Sequence, residues 1–401
     1  MIKVNNIMDI KLIVISCLLV LICTVGFACA SDDLNNHYDG FSSTNIQDID
    51  VNDIQNDVDM VSSLNKVDLK TLSVSENDAL EIDDGNFGDL YNDVYSADGI
   101  LKLERDYVRN GNENPHGIGM DKCDFVIDGQ GHTIDGSGNG RIFQFGGDNI
   151  TLKNINFING KYCTVGGAIY SEASLHIINC TFKNNKGDGS LSSTDYEGGA
   201  IYSDTDLYLD GCVFDGNYAD DWGGAVYCRG KLYINSLGDN KLCCFINNDA
   251  DDHDGGAIYC EGDAFINYAE FSDNLACGKG GAVHCSGTLK VRGSRFTGNR
   301  VDGGSKSPDY DGGAISSRND LYVDDCYFDG NYADDFGGAI YAKGNVYINN
   351  MSEDALSYFK GNKADDDNGG AIYCEGTLYA NNAVFSGNCA IYLIIDLLIF
   401  F

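Results

Sequence analysis

The sequence predicts an all-β protein folded as a parallel β-helix, in which each repeat forms one coil of a solenoid. Two observations lead to this fold class. Apolar and polar residues alternate between turns rich in Gly and Asn, which is the two-residue period of a strand. A Gly-Gly-Ala triplet also recurs at spacings that alternate between 32 and 25 residues, with its first glycine at Gly166, Gly198, Gly223, Gly255, Gly280, Gly312, Gly337 and Gly369.

Alignment of the repeats on that first glycine produces columns of similar residues. The residue three positions later is always Ile or Val, and the residue nine positions later is Leu, Val or Ala. Such columns face inward and stack about 4.8 Å apart, because a single coil cannot bury its own apolar face. The repeats have no 3.6-residue period, and they are short for a four-stranded propeller blade. Residues 72–390 are therefore expected to form about 10–11 coils.

The N-terminal segment has the pattern of a secretory signal peptide. Lys3 and Lys11 precede an apolar core that ends near Phe27. Ala28-Cys29-Ala30 then fits a cleavage site. The sequence thus predicts a signal peptide at 1–30 and a secreted or cell-surface protein. An uncleaved membrane anchor is the alternative, and it is the only membrane contact expected. Residues 31–71 are rich in Asp, Asn and Ser, which predicts a disordered acidic spacer.

The apolar segment 391–401 ends the chain where another glycine pair is expected. The preferred interpretation is a truncation product. An apolar cap on the last coil is the alternative.

The formal net charge of -35 restricts the classes of partner. A surface this acidic repels nucleic acid and anionic lipid. Cations, neutral glycans and basic proteins remain as partners.

Two columns of the repeat contain Cys in exchange with Ser and Ala. This exchange favours a small buried side chain. Disulfides between neighbouring coils, for example between Cys228 and Cys260, are the alternative in an exported chain.

Each repeat also carries the motif Phe-x-x-Asn, at Phe182/Asn185, Phe214/Asn217, Phe245/Asn248, Phe271/Asn274, Phe296/Asn299, Phe328/Asn331, Phe359/Asn362 and Phe385/Asn388. The paired motifs resemble the repeats of polymorphic membrane proteins of chlamydiae and of adhesin-like surface proteins of methanogenic archaea. This resemblance covers residues 121–390 and implies a right-handed parallel β-helix, the pectin lyase-like fold, with a role in adhesion. The Asn suggests a ladder, because its side chain can bond the next Asn along the stack and tolerates a left-handed turn.

Two columns of aromatic residues are predicted to face outward, since they alternate with inward columns. They lie four and ten residues after the first glycine. Stacking between strands explains such columns structurally, but exposed tyrosines also bind sugar rings or protein partners. The candidate ligand-binding residues are Tyr170, Tyr202, Tyr208, Tyr227, Tyr233, Tyr259, Tyr322 and Tyr347.

Acidic residues cluster just before the glycine pairs. Like charges on adjacent coils repel one another, and a hard cation such as Ca²⁺ would relieve that repulsion. A solvated acidic edge is the alternative, and no cofactor is required. The candidate metal ligands are Asp220, Asp221, Asp251, Asp252, Asp334, Asp335 and Asp366.

The pattern favours an adhesin-like protein without catalysis that binds cell-surface glycans or proteins. A polysaccharide-degrading lyase or glycoside hydrolase is one alternative, since paired carboxylates can act as acid and base. However, a catalytic site breaks a repeat, whereas these aspartates recur with it. An inert surface spacer is the second alternative.

Overall fold

The computed structural model describes residues 84–111, 113–188, 196–238, 241–302, 310–349 and 355–390, together with the strand Leu398–Ile399. The predicted signal peptide, the predicted spacer and most of the predicted apolar tail lie outside the described residues. The boundaries at residues 30 and 71 therefore stay predictions.

The chain winds through four sheets in a fixed order, and each circuit forms one coil. Sheet 1 directly follows the glycine pairs. Its ten strands are Ile118–Met120, Phe143–Phe145, Ile169–Ser171, Ile201–Ser203, Val226–Cys228, Ile258–Cys260, Val283–Cys285, Ile315–Ser317, Ile340–Ala342 and Ile372–Cys374.

Sheet 2 comes next in each coil. Its eleven strands are Ile100–Lys102, Cys123–Asp128, Asp148–Lys153, Leu175–Ile178, Leu207–Asp210, Leu232–Asn235, Ala264–Asn267, Leu289–Arg292, Leu321–Asp324, Val346–Ile348 and Leu378–Ala380.

Sheet 3 contains the Phe of the Phe-x-x-Asn motif. Its thirteen strands are Gly85–Asn86, Tyr107–Val108, Thr133–Asp135, Asn156–Ile158, Thr181–Lys183, Val213–Asp215, Cys243–Ile246, Ala269–Ser272, Arg295–Thr297, Tyr327–Asp329, Ser357–Lys360, Ala383–Ser386 and Leu398–Ile399.

Sheet 4 is built from two-residue strands that follow the motif Asn. Its nine strands are Lys161–Tyr162, Lys186–Gly187, Tyr218–Ala219, Asp249–Ala250, Leu275–Ala276, Arg300–Val301, Tyr332–Ala333, Lys363–Ala364 and Cys389–Ala390.

Neighbouring strands in all four sheets are parallel, except that Leu398–Ile399 pairs antiparallel with Ala383–Ser386. Parallel strands joined by short connections wind right-handedly as a rule. The predicted fold class, a right-handed parallel β-helix of about 10–11 coils, is confirmed, since sheets 1 and 2 contain ten and eleven strands.

One helix, Phe87–Ser96, occurs within the described residues, in a segment where the sequence analysis expected only strands. Asn86 and Asp89 form a capping box at its start: Asn86 Oδ1 accepts from the Asp89 amide at 3.1 Å, and Asp89 Oδ2 accepts from the Asn86 amide at 2.9 Å. This capping box was the overlooked signal. The apolar face packs into the core with Phe87, Leu90 and Val94. The helix is too short to cross a membrane, and it is the only helix in the part of the chain that the structure describes.

The core contains a continuous stack of phenylalanines on the inner face of sheet 3. Adjacent ring centroids are 4.7 to 4.8 Å apart from Phe157 through Phe385. This spacing matches the separation of neighbouring strands. The register of the sheets therefore places each ring directly on the next.

The predicted asparagine ladder is present, with one correction. Asn217 Nδ2 donates to Asn248 Oδ1 at 2.9 Å and to the carbonyl of Phe182 at 3.0 Å, and the pattern repeats along the stack to Asn388. The left-handed backbone lies one residue earlier than expected, for example at Gly216 and Asn247. The ladder Asn is thus kept for its side chain, and the preceding residue makes the turn.

The glycine pair is required by close approach of the backbone. Gly255 has φ +74°, and a Cβ there would lie 2.2 Å from the carbonyl oxygen of Ile258. A Cβ on Gly256 would lie 2.1 Å from the carbonyl oxygen of Gly281 in the next coil. Neither position accepts a side chain without moving the backbone.

The cysteine columns confirm the prediction of small buried side chains. Cys180, Cys212, Cys228, Cys260 and Cys326 are each no more than 1% exposed. All thirteen described cysteines are free thiols, so the disulfide alternative is not realised among them.

Candidate functional site

The first predicted column of aromatic residues forms a covered ladder on the outer face of sheet 1. We call it the buried tyrosine column. Its members are Tyr170, Tyr202, Tyr227, Tyr259, His284, Ser316, Tyr341 and Tyr373.

Exposure of this column was predicted wrongly. Tyr202, Tyr227 and Tyr259 are only 5 to 8% exposed, and Tyr170 is half-buried. Trp222, in the turn before a glycine pair, packs against this cluster, with its ring centroid 6.2 Å from that of Tyr259. The alternation of a strand assigns a side chain to the outer face, but it does not say what covers that face.

Four tyrosine hydroxyls of this column, those of Tyr170, Tyr202, Tyr227 and Tyr341, donate to carboxylates of the protein. Tyr227 Oη donates to Glu261 Oε1 at 2.5 Å, and Tyr341 Oη donates to Glu375 Oε1 at 2.7 Å. Burial is the main cause that raises the pKa of Tyr227 and Tyr341. This column therefore does not offer an open surface to a ligand.

The second predicted column lies on the outer face of sheet 2 and is partly exposed along its whole length. We call it the aromatic strip. Its members are His176, Tyr208, Tyr233, Phe265, Lys290, Tyr322, Tyr347 and Tyr379.

The rings of the aromatic strip stack on one another. Tyr208 and Tyr233 have centroids 4.7 Å apart and planes 3° apart, and Tyr347 and Tyr379 are 5.0 Å and 4° apart. The faces of the rings therefore contact the rings on neighbouring strands, whereas the ring edges and hydroxyls point outward. The strip presents a row of apolar edges and hydroxyl groups with the period of the sheet.

Lys290 interrupts the strip without leaving a gap. Its ammonium lies 5.8 Å from the ring centroid of Phe265 and 5.4 Å from that of Tyr322. A cation over an aromatic face is attracted by the ring quadrupole. The cation therefore takes the place of a ring between the two aromatic segments.

Polar side chains flank the aromatic strip. Asn267 Nδ2 donates to Asn235 Oδ1 at 3.1 Å, and Asn235 Nδ2 donates to Asp210 Oδ1 at 3.1 Å. On the other side Lys231 lies 3.7 Å from Asp263. Apolar edges between rows of amide, hydroxyl and charged groups are the chemistry that amphipathic ligands require.

The face around the strip carries charges of both signs. Its strands contain the cations Lys102, Lys153, Lys290 and Arg292 and the carboxylates Asp124, Asp148 and Asp210. Asp206 and Asp320 lie beside the rings of Tyr208 and Tyr347.

The structure divides the eight predicted ligand-binding tyrosines between these two columns. Tyr208, Tyr233, Tyr322 and Tyr347 lie in the aromatic strip, whereas Tyr170, Tyr202, Tyr227 and Tyr259 lie in the buried tyrosine column. His176 and Lys290 were missed as members of the strip. Their position ten residues after the first glycine was the signal.

The predicted cation site does not assemble. Asp220 and Asp334 accept from the hydroxyls of Tyr218 and Tyr332 at 2.8 and 2.5 Å. No group of three or more His, Cys, Asp or Glu side chains within the described residues could hold a metal ion. The expectation is therefore corrected for Asp220, Asp221, Asp251, Asp252, Asp334, Asp335 and Asp366.

The aspartate pairs diverge because the two side chains have different partners. Asp221 accepts from the backbone amide of Tyr196 at 2.9 Å, and Asp335 accepts from that of Tyr310 at 3.0 Å. Burial raises the pKa of Asp221. These carboxylates hold turns in place.

The repeats match a known family. The model of the Chlamydia polymorphic membrane protein repeat matches residues 179–204, 211–229, 242–261, 269–286, 325–343 and 357–375. The chain thus contains repeats similar to those of the Chlamydia polymorphic membrane proteins. Neither a curated protein nor a solved structure matches the chain.

Proposed function

We propose that this protein is a secreted or cell-surface, adhesin-like protein that binds glycans or proteins of other cells through the aromatic strip, without catalysis. The observation that carries the proposal is the difference between the two aromatic columns. Both are stacked with the period of the sheet, but one is covered by the chain's own turns, and the other is left open.

Stacking alone does not require an open strip. Cross-strand stacking stabilises a sheet whether or not the rings are covered, and Tyr202 and Tyr227 stack at 5.2 Å beneath their cover. By contrast, Tyr208, Tyr233 and Tyr322, on interior rungs of the strip, remain partly exposed. A contiguous exposed apolar surface with a polar rim is characteristic of an interaction site.

The charge of the strip indicates the kind of partner. Its face carries charges of both signs, which a neutral polar ligand can meet without net repulsion, while the acidic surface of the chain disfavours nucleic acid and anionic membranes. Tyr hydroxyls and the flanking Asn and Asp side chains offer both donors and acceptors. Sugar hydroxyls and polar protein surfaces match this combination.

A glycan array and a cell-binding assay with the full chain test the proposal. Tyr208→Ala with Tyr233→Ala removes two adjacent rungs and should reduce binding about tenfold or more, because alanine substitution at central interface residues commonly costs over 1 kcal/mol. The matched control is Tyr327→Ala with Tyr358→Ala, a ring pair on the outer face of sheet 3. An equal loss of binding affinity in the two double variants contradicts the proposal. The absence of saturable binding by the parent protein contradicts it as well. Turnover of a polysaccharide would favour the enzyme alternative.

A further inference from the structure

The buried tyrosine column is interrupted at one place, and the interruption has its own chemistry. Tyr259 is followed by His284 and Ser316 before tyrosine resumes at Tyr341. The His284 ring stacks on Tyr259 with centroids 4.9 Å apart. Ser316 has no ring to continue the stack.

At three other rungs the tyrosine hydroxyl donates to a carboxylate that lies on the next coil, two residues beyond the paired column position. Tyr170 donates to Asp204 at 3.1 Å, as Tyr227 does to Glu261 at 2.5 Å and Tyr341 to Glu375 at 2.7 Å. At the rung of Tyr202 this position on the next coil is a cation, Arg229, which pairs with Asp204 and Glu261.

At the interrupted rung, that of His284, this position on the next coil is Arg318. A cation stands there instead of a carboxylate, as Arg229 does at the rung of Tyr202.

The imidazole of His284 is left without hydrogen bonds. The residue is 1% exposed, and both ring nitrogens are buried with no hydrogen-bond partner within the described residues. Asp254 Oδ2 lies 3.6 Å from Nδ1, beyond hydrogen-bond distance. A buried polar group without a partner is costly, so a missing acceptor is indicated.

Two cations lie beside this rung, in addition to the Asp254 carboxylate. Arg318 and Lys343 are exposed and occupy equivalent positions on adjacent coils, one residue after the paired Ser317 and Ala342. Neither forms an ion pair within 4.0 Å in the part of the chain that is described. Like charges at facing positions destabilise a sheet. Lys279 is also near the rung, but its ammonium pairs with Asp311 at 2.8 Å.

We infer that His284, Arg318 and Lys343 form an oxyanion-binding site, in which a carboxylate, sulfate or phosphate group of a ligand accepts hydrogen bonds from the two cations and from the imidazole. Arg318 and Lys343 bind the anion from the surface, and the His284 ring donates a hydrogen bond from below. The site lies outside the aromatic strip, so it does not depend on the function proposed above. The acidic remainder of the surface is screened beyond about 8 Å at physiological ionic strength.

Calorimetric titration of the full chain with sulfate, phosphate or acetate tests this site, with chloride at equal ionic strength as the reference. Arg318→Glu introduces the kind of side chain that Glu261 and Glu375 provide at two other rungs. It should lower oxyanion affinity about tenfold or more, because a charge-assisted bond is lost and a repulsive charge is added. Lys360→Glu makes the same change in charge at an exposed position on sheet 3 and should change affinity less than about twofold. Comparison of the affinities for the three anions shows whether the site prefers a carboxylate, a sulfate or a phosphate group.

His284→Phe keeps a ring in the column and removes both nitrogens. It should also weaken binding, since the buried donor is lost. No saturable binding above the chloride reference, or equal losses in Arg318→Glu and Lys360→Glu, would overturn the site. Unchanged affinity in His284→Phe would overturn the assignment of His284 to it.

Discussion

Asn248 Oδ1 accepts two hydrogen bonds from Asn217, one from Nδ2 at 2.9 Å and one from the backbone amide at 3.1 Å. Both residues are fully buried. One side-chain oxygen thus satisfies two buried donors of the preceding coil, and the relationship repeats along the stack.

Asn248→Ala should destabilise the β-helix by about 3 kcal/mol, because it leaves two buried donors of Asn217 without their acceptor and removes the side-chain bond to the carbonyl of Phe214. The midpoint of chemical unfolding measures the effect. Asn267→Ala is the control, since that side chain is partly exposed and makes a single hydrogen bond to Asn235. Equal midpoints for the two variants contradict a structural role of the ladder.

Gly256→Ala should prevent stable stacking of the coils around it. Its Cβ would lie 2.1 Å from the carbonyl oxygen of Gly281, a backbone atom that cannot rotate away. We expect a loss of more than about 3 kcal/mol or failure to fold. Gly238→Ala is the comparison: φ is +75°, but nothing lies within 4 Å of the added Cβ, so only strain of about 1 kcal/mol is expected. Thermal unfolding of both variants distinguishes close approach from backbone strain.

The cysteines should differ sharply in reactivity. Burial raises the pKa of Cys180 and of Cys326 to about 12, so neither forms the reactive thiolate near neutral pH. Cys123 and Cys389 are exposed and should be alkylated first in the native protein. Mass spectrometry after brief iodoacetamide treatment at pH 8 locates the label. Labelling of Cys180 or Cys326 as fast as Cys123 would show that the coils open on that timescale.

The pH dependence of stability should contain a contribution from His284. Burial lowers its pKa to about 4, which the Asp254 charge opposes and the charges of Arg318, Lys279 and Lys343 reinforce. The unfolded chain therefore binds a proton that the folded protein excludes, and stability is lost as the pH falls from about 6.5 towards 4.

At a pH below both pKa values, the loss in the free energy of unfolding that is due to His284 is about 3 kcal/mol, because the pKa values of the folded and unfolded states differ by roughly two and a half units. Denaturant unfolding of the parent protein and of His284→Tyr between pH 4 and 7 measures it. The difference between the two stability curves should grow as the pH falls within this window. A constant difference across the window rules out the expected contribution.

The sequence by itself determined the fold and its period. Glycine pairs at alternating 32- and 25-residue spacings, with stacked apolar columns, were enough to predict the parallel β-helix, the buried small cysteines and the asparagine ladder. These features depend on local backbone geometry and on identical neighbours at a fixed spacing, so they can be read from one repeat and its copies. The helix Phe87–Ser96 was also encoded locally, by its capping box, although it was overlooked.

Only the tertiary structure decided which outward column is open. Tyr202 and Tyr208 both lie on outer faces, yet turns that contain residues such as Trp222 cover the column of Tyr202 and leave that of Tyr208 partly exposed. The partners of the aspartates, such as the Tyr196 amide for Asp221, were likewise visible only in the tertiary structure. Strand alternation sets the direction of a side chain, whereas its exposure depends on how segments distant along the coil pack against it.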